Sequence, residues 1–375
     1  MASTEPAVDV VAGDGLAPTP ATGWRNPRVR RALQIALSVL LVGGIFWYVF
    51  GQFADLSSVW ASMRSLTWRE SAVLLGVAAW NLVTYWIVIR QATPGITYPQ
   101  AAVLTETTTA VANALPAGGA IGVGLTYGIL GSWGFSKSRA TLSIVVTGIW
   151  NNFVKLGTPI VAIAWVALAG ESGAGSLVAA MAGLAGLIAA VVIFAFILRS
   201  EPFAVRVGLF SQRIASALRR PFGKGPATGW DRAVTRFRGR VIGLVHHRWV
   251  GLTAATIVSH LSLYLVLLVA LREMGVSQEE VSAAQVLTAF AFARLLTAIP
   301  LTPGGVGVVE LALITAITHA GGAKPQVVAA VLLFRILTYL APILLGAFTY
   351  LYWRRNRSWR DSAPPLPAEL SPATA

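Results

Sequence analysis

The amino-acid sequence predicts an all-α polytopic membrane protein with six spanning helices and two Gly/Pro-broken re-entrant hairpins arranged as an inverted repeat. Of the 375 residues, 55% are hydrophobic and only 12% are charged. A soluble domain carries about 25% charged residues, so lipid must be part of the solvent of this chain. Long apolar segments alternate with arginine-rich ones, and two of the apolar segments have glycine and proline at their centres.

The charge and residue usage exclude several classes of function. The formal net charge is +14, but the basic residues flank apolar segments, which is the positive-inside pattern of a membrane protein and argues against nucleic-acid binding. Cysteine is absent, which excludes disulfides and thiolate metal sites. Because the sequence shows no catalytic triad, metal-ligand spacing or phosphate loop, we expect no enzymatic activity, metal or cofactor.

The N-terminal region predicts a tail followed by a span. Residues 1–23 are mostly Ala, Thr, Pro, Gly and Asp without periodicity, which indicates a disordered cytoplasmic tail. Four arginines then precede the apolar segment 32–50, which is close to the roughly 20 residues that a spanning helix needs. The positive charge before this segment places the N-terminus in the cytoplasm.

Five further apolar segments complete the predicted spans of a transmembrane domain over residues 24–353. They cover 71–89, 140–169, 176–198, 249–271 and 327–353. The basic loop 199–248 between them is predicted to be cytoplasmic and to contain either an amphipathic helix on the inner leaflet or a solvated connector. The arginine-rich start of residues 354–375 predicts a second cytoplasmic tail.

Two apolar regions are interrupted, at 100–132 and at 284–320. Proline and glycine break a helix, so each region predicts two short helices, as a re-entrant hairpin or as two thin spans. The predicted turn residues of the two hairpins are Pro116, Gly118, Gly119, Pro303, Gly304, Gly305 and Gly307.

The two broken regions predict an internal duplication with halves at about 70–198 and 249–353. An offset of 186 residues pairs Gly118-Gly119 with Gly304-Gly305. The loop charges indicate that the first hairpin enters from the cytoplasm and the second from outside, so the repeat is inverted. Inverted repeats with broken helices are typical of secondary transporters, and helix N-termini at the breaks suit anions.

The second half resembles a known family. Pro303-Gly-Gly-Val-Gly-Val-Val-Glu310, followed by Leu333-Phe-Arg335-Ile-Leu-Thr-Tyr339 and Pro342, is similar to the lysylphosphatidylglycerol synthase transmembrane region. This flippase-like family, also called UPF0104, includes the membrane half of the bacterial multiple peptide resistance factor. The resemblance implies a lipid-translocating fold with two inverted repeats over roughly residues 30–353.

The chain also departs from the pattern of this family. Many members carry an acidic and a basic residue just after the first glycine pair, where this chain has Ala120, Ile121 and Gly122. Because no aminoacyl-transferase domain follows Trp353, we do not expect synthesis of lysyl-phosphatidylglycerol.

Ionisable residues inside predicted spans or hairpins are candidates for the functional site, because burying them in lipid is costly. We expect Arg294, Arg335 and Lys155 to bind an anionic lipid headgroup, with Glu310 holding one arginine in place or titrating. The alternative is a structural ion pair of Glu310 with Arg335 or with Arg294, and both roles are compatible.

Two further intramembrane groups are assigned other roles. Glu106, near the entrance of the first hairpin, is expected to be structural or interfacial. His260 is expected to be a core histidine with its hydrogen bonds satisfied.

The sequence therefore favours translocation of a lipid or lipid-linked glycan across the bacterial cytoplasmic membrane. The alternative is a non-catalytic scaffold or accessory subunit of an envelope glycosyltransferase. Expected partners are membrane lipids or lipid-linked glycans and an envelope-biosynthesis enzyme, and the sequence leaves the oligomeric state open.

Overall fold

The computed structural model describes residues 66–115, 117–170, 174–200, 230–297 and 302–364, with isolated positions at 61, 64 and between 202 and 216. Within these ranges every regular element is a helix. The predicted N-terminal tail and the predicted first span at 32–50 lie outside the described residues.

The first half contains five helices in the described residues. They are α1 (Trp68–Ala92), α2 (Tyr98–Ala114), α3 (Gly118–Ser132), α4 (Lys137–Leu168) and α5 (Ala174–Arg199). Thr67 and Thr97 begin α1 and α2 with capping boxes, in which a threonine hydroxyl and a side chain three residues later satisfy free N–H groups. The start of each helix is therefore encoded locally.

The second half repeats the order of a long helix, a broken pair and a long helix. Its elements are α6 (Trp230–Glu273), α7 (Ala283–Leu296), a 3₁₀ turn (Pro303–Gly305), α8 (Val308–His319), α9 (Lys324–Arg335), a π-helical turn (Ile336–Leu340) and α10 (Ala341–Arg355). The π turn precedes Pro342, which has no N–H to donate to the carbonyl of Thr338.

Four helical segments in the described part of the chain are long and apolar enough to cross a membrane. They are Trp68–Ala92, Lys137–Leu168, Arg238–Glu273 and Lys324–Arg355. These segments confirm the predicted spans at 71–89, 140–169, 249–271 and 327–353. Helix α5 coincides with the predicted span at 176–198.

Both predicted breaks interrupt a helix. The first lies between Ala114 and Gly118, where Ala117 adopts a left-handed conformation with φ of 54°. The second contains Gly304, Gly305 and Gly307, whose φ values of 59°, 70° and 84° suit glycine. Pro116 lies outside the described residues, so its role in the first turn stays a prediction.

The two halves pack on each other reciprocally. Helix α1 packs against α6, α4 packs against α7, and α10 packs against α2. In each half, the long helix after the hairpin thus contacts the first arm of the other hairpin. This exchange is the arrangement expected for an internal repeat.

The predicted loop 199–248 is largely helical in its described positions. Helix α6 begins at Trp230 and runs for 44 residues, so the last part of the predicted loop is helical. The described positions between 202 and 216 are also helical, which agrees with the amphipathic helix that the sequence left open. The extension of α6 ahead of the predicted span at 249–271 was not predicted, because arginines spaced along it lower its hydropathy.

The predicted C-terminal tail is partly packed against the first half. The N–H of Ala363 donates to the carbonyl of Trp133 at 2.8 Å, and Nη1 of Arg139 donates to the carbonyl of Pro364 at 2.8 Å. The Trp359 ring lies edge-on to Trp133, with centroids 5.7 Å apart. The segment after α10 therefore packs against the end of α3 and the start of α4. The basic composition of the tail did not predict this contact.

Candidate functional site

A buried ion pair fixes the second hairpin. Glu310 lies in the first turn of α8, and Arg335 is the last residue of α9. The Nε of Arg335 lies 2.6 Å from Oε1 of Glu310, and their side chains are only 9% and 1% exposed. The second oxygen of Glu310 accepts the N–H of Gly307 at 2.7 Å, which caps the helix. One carboxylate thus pairs with the guanidinium of Arg335 and also accepts a hydrogen bond from a free N–H at the start of α8.

The other contacts of Arg335 link the tips of the two hairpins. Its Nη2 donates to the carbonyl of Gly304 at 3.2 Å, and its guanidinium lies 4.5 Å from the centroid of the Tyr339 ring. The Tyr339 hydroxyl donates to the carbonyl of Asn113, at the end of α2, at 2.8 Å. Of the two ion pairs that the sequence left open, the structure forms Glu310–Arg335.

Glycine at position 304 is required by this junction. A Cβ there would overlap Cε2 of Tyr339 and lie 3.2 Å from Oδ1 of Asn113. Because Gly304 has no side chain, the second turn can approach the ring of Tyr339 closely.

A polar cavity of about 190 Å³ lies beside the ion pair, between the two hairpins. Side chains from both halves form its walls, because α1, α2, α6, α7 and the π turn meet here. Its polar lining includes Glu106, Asn113, Arg294, Thr297, Arg335 and Tyr339. The predicted residues Arg294 and Arg335 thus share one cavity.

Arg294 differs from Arg335 in its hydrogen bonding. The Nε of Arg294 is buried and has no hydrogen-bond partner among the residues that the structure describes. Lys155, from α4, approaches the same place and donates to Oγ1 of Thr297 at 3.3 Å. In the described part of the chain, no carboxylate pairs with Arg294 or Lys155. Arg294 in the cavity wall and Lys155 beside it are therefore cations without a paired carboxylate among the described residues, although Glu106 lines the same cavity.

Glu106 lies in the wall of this cavity. It is 1% exposed in the middle of α2, and its Oε1 accepts the indole N–H of Trp86 at 2.7 Å. Of the two roles that the sequence left open, structural or interfacial, this buried and hydrogen-bonded position fits the structural one. Because α2 begins at Tyr98 and ends at Ala114, Glu106 lies well inside the hairpin rather than near its entrance.

A second, larger polar space adjoins this cavity, and we call it the hydroxyl chamber. It has a volume of about 470 Å³ and shares Tyr85, Thr105 and Thr109 with the first cavity. Threonines and serines from α2, α3, α4 and α6 line it. The sequence analysis missed it, because hydroxyl side chains in membrane helices commonly bond to their own backbone.

His260 lies where the hydroxyl chamber meets an apolar groove. The groove, of about 700 Å³, runs between α4, α5 and α6 and is lined almost entirely by apolar side chains, among them Phe153, Phe194 and Ile257. His260 lines both spaces. Its Nδ1 lies 3.0 Å from the carbonyl of Thr256, but Nε2 is buried without a partner among the described residues. The expectation of a fully satisfied core histidine is therefore wrong.

The two hairpins are not chemically equivalent. The offset of 186 pairs Glu310 with Gly124, and the downstream offset of 183 pairs Arg335 with Asn152. Asn152 is exposed on α4. The first half therefore has no counterpart of the buried ion pair, and its glycine-rich arm lines the hydroxyl chamber instead.

The comparisons with known proteins agree with this architecture. The family model described as the lysylphosphatidylglycerol synthase TM region matches residues 35–346. A UPF0104 membrane protein of Methanocaldococcus jannaschii is 42% identical over 62 residues, which is 16% of this chain and 26% of that relative. The match to the archaeal protein thus spans about a quarter of its length. The family match covers most of the chain, including both hairpins and all the candidate residues. The chain therefore belongs to the lysylphosphatidylglycerol synthase transmembrane-region family of multi-pass membrane proteins.

Proposed function

We propose that this protein translocates a lipid or lipid-linked glycan with an anionic headgroup across the bacterial cytoplasmic membrane, without catalysing a chemical reaction. In this proposal six helices span the membrane, the two hairpins are re-entrant from opposite faces, and both termini are cytoplasmic. The reciprocal packing of the halves supports the duplication on which this topology rests.

The observation that carries the proposal is the unpartnered Nε of Arg294 in a buried cavity. An arginine at the centre of a bilayer costs about 2.5–3.5 kcal/mol on insertion scales, so a role is needed to offset that cost. The guanidinium fork can donate two hydrogen bonds to the oxygens of a phosphate. Lys155 places a second positive charge nearby, since its Nζ donates to Thr297 in the cavity wall. Arg335, whose donors bind Glu310 and Gly304, would position the hairpin rather than hold the headgroup.

The apolar groove supports a lipid rather than a free anion as the substrate. It shares His260 with the hydroxyl chamber, so a molecule with a polar head and an apolar chain could occupy both at once. The acyl or prenyl chain would then stay in apolar surroundings while the headgroup moves through the protein.

Transport in proteoliposomes tests this function. Purified protein reconstituted in liposomes should accelerate the exchange of fluorescent phosphatidylglycerol between leaflets more than that of phosphatidylcholine. Arg294→Gln should slow phosphatidylglycerol exchange about 10- to 100-fold, because charge-assisted hydrogen bonds contribute about 1.5–3 kcal/mol. Arg294→Lys should keep part of the rate, and Arg354→Gln, at the exposed end of α10, serves as the control.

Two results would contradict the proposal. If Arg294→Gln is folded and exchanges phosphatidylglycerol as fast as the wild type, Arg294 does not bind the headgroup. If the wild type exchanges no lipid and co-purifies with an envelope glycosyltransferase, the alternative role as a scaffold is favoured.

A further inference from the structure

We propose that the hydroxyl chamber binds a sugar or cyclic polyol, as the uncharged part of the headgroup next to the phosphate. The inference rests on the proposed function only for the phosphate at Arg294. The chamber is lined by residues other than Arg294, so its ligand can be tested separately from the anion site.

The lining of the chamber selects an uncharged polar ligand. Among its described wall residues there is no lysine, arginine, aspartate or glutamate. Hydroxyl groups from four helices provide polarity instead, and many of them already donate to a carbonyl one turn earlier, as Thr126 does to Gly122 and Thr147 to Ser143. Their oxygens remain free to accept hydrogen bonds from a ligand. A charged group would find no counter-charge here, whereas ligand hydroxyls would find acceptors on several sides.

Three buried groups in the wall need a partner that the described protein does not provide. They are Oγ1 of Thr105 on α2, and Oγ of Ser259 and Nε2 of His260 on α6. Ser259 is 2% exposed and His260 is 5% exposed, so both side chains are deeply buried. Buried polar atoms are normally hydrogen-bonded, and each orphan costs free energy. Three such atoms around one space indicate a ligand that both donates and accepts, as a ring of hydroxyl groups does.

The contact between the two spaces also indicates which part of the ligand lies in each. Thr105 lines both the chamber and the cavity that contains Arg294. A ring attached directly to a phosphate at Arg294 can therefore reach the chamber. Gly119 and Gly122 form part of the wall without filling it with side chains, which leaves room for a ring.

Binding of matched lipids to the purified protein in detergent tests the inference. Phosphatidylinositol carries a phosphate and a cyclic polyol, whereas phosphatidic acid with the same acyl chains carries the phosphate alone. The wild type should bind phosphatidylinositol several-fold more tightly. Ser259→Ala should reduce that preference about 3- to 10-fold, as expected for one lost hydrogen bond, and leave phosphatidic acid binding unchanged.

Ser262→Ala is the matched control. Ser262 lies one turn further along α6, is 1% exposed and also has an unpartnered hydroxyl among the described residues, but it lines neither polar space. Its replacement should leave the preference unaltered. An equal loss in Ser262→Ala would show that the effect comes from helix packing and would overturn the assignment of the chamber.

Neutral lipids separate this inference from the proposed function. Monoglucosyl diacylglycerol should bind more tightly than diacylglycerol even in Arg294→Gln, because the chamber does not depend on the arginine. If acidic lipids fail to bind but the glucolipid preference remains, the anion site is wrong and the chamber stands. If phosphatidylinositol and phosphatidic acid bind equally, and the two neutral lipids also bind equally or not at all, the chamber does not recognise a polyol.

Discussion

Glu310→Ala is expected to destabilise the folded protein by about 3–5 kcal/mol, because it leaves the charge of Arg335 buried without a partner. The carboxylate lies 2.6 Å from the arginine, with both side chains almost fully buried. Its loss also frees the N–H of Gly307 at the start of α8. Reversible unfolding in mixed detergent micelles measures the change in free energy.

A double-mutant cycle identifies the ion pair as the cause. Arg335→Met should also destabilise, and the double variant Glu310→Ala/Arg335→Met should recover part of the loss, since no buried charge remains. Glu70→Ala is the matched control: Glu70 caps α1 through Thr67 in a partly exposed position and forms no ion pair with another described residue. That change should cost no more than about 1 kcal/mol. Equal effects of Glu310→Ala and Glu70→Ala would contradict a stabilising role of the pair.

Gly346→Ala is the second change for which we expect a large loss of stability. Gly346 lies in α10 where this helix crosses α2, and an added Cβ would be too close to the carbonyl oxygen of Glu106 and to Cβ of Ala110. Neither atom can rotate away, because one belongs to the helix backbone and the other is bonded directly to it. Overpacking costs about 1–3 kcal/mol, and we expect this site at the upper end of that range, despite the better helix propensity of alanine.

The effect of Gly346→Ala should reach the candidate site. The helices would have to separate, which would disturb the bond of 2.9 Å between Thr107 and Thr349 and the backbone that carries Glu106. The thermal midpoint in detergent is the measurement. Gly128→Ala, where an added Cβ meets nothing within 4 Å in α3, is the control and should not lower it. An unchanged midpoint in Gly346→Ala would contradict the close crossing of α2 and α10.

The spans and breaks were predictable from the sequence, because a membrane helix needs a long apolar segment with charged residues only at its ends. Apolar length and arginine-rich flanks located the spans at 71–89, 140–169, 249–271 and 327–353, and glycine and proline located both breaks. The start of α6 at Trp230 was not predictable, because a helix can continue into water with polar residues. The packing of Trp359 and Ala363 against α3 depends on tertiary contacts that composition does not encode.

The sequence identified the charged residues of the site, but it did not show which arginine pairs with Glu310. Arg294, Glu310, Arg335 and Lys155 stand out because charged residues in apolar segments are rare. Which arginine pairs with Glu310 depends on how α8 and α9 pack, and the structure selects Arg335.

The neutral part of the site gave no signal in the sequence. Thr105, Ser259 and His260 come from helices far apart in the chain and become a set only where α2 and α6 line the same space. Single hydroxyl residues in membrane helices are common, so Thr105 and Ser259 did not stand out, and His260 stood out only as a lone histidine in a predicted span.

Lipids retained through purification show whether Arg294 binds an anionic headgroup inside the protein. Mass spectrometry of lipids extracted from the purified wild type should show acidic phospholipids or phosphate-linked glycolipids enriched over their share of the host membrane. Arg294→Gln, with an unchanged thermal midpoint, should lose that enrichment. The same enrichment in both proteins, or no acidic lipid in the wild type, would contradict the account.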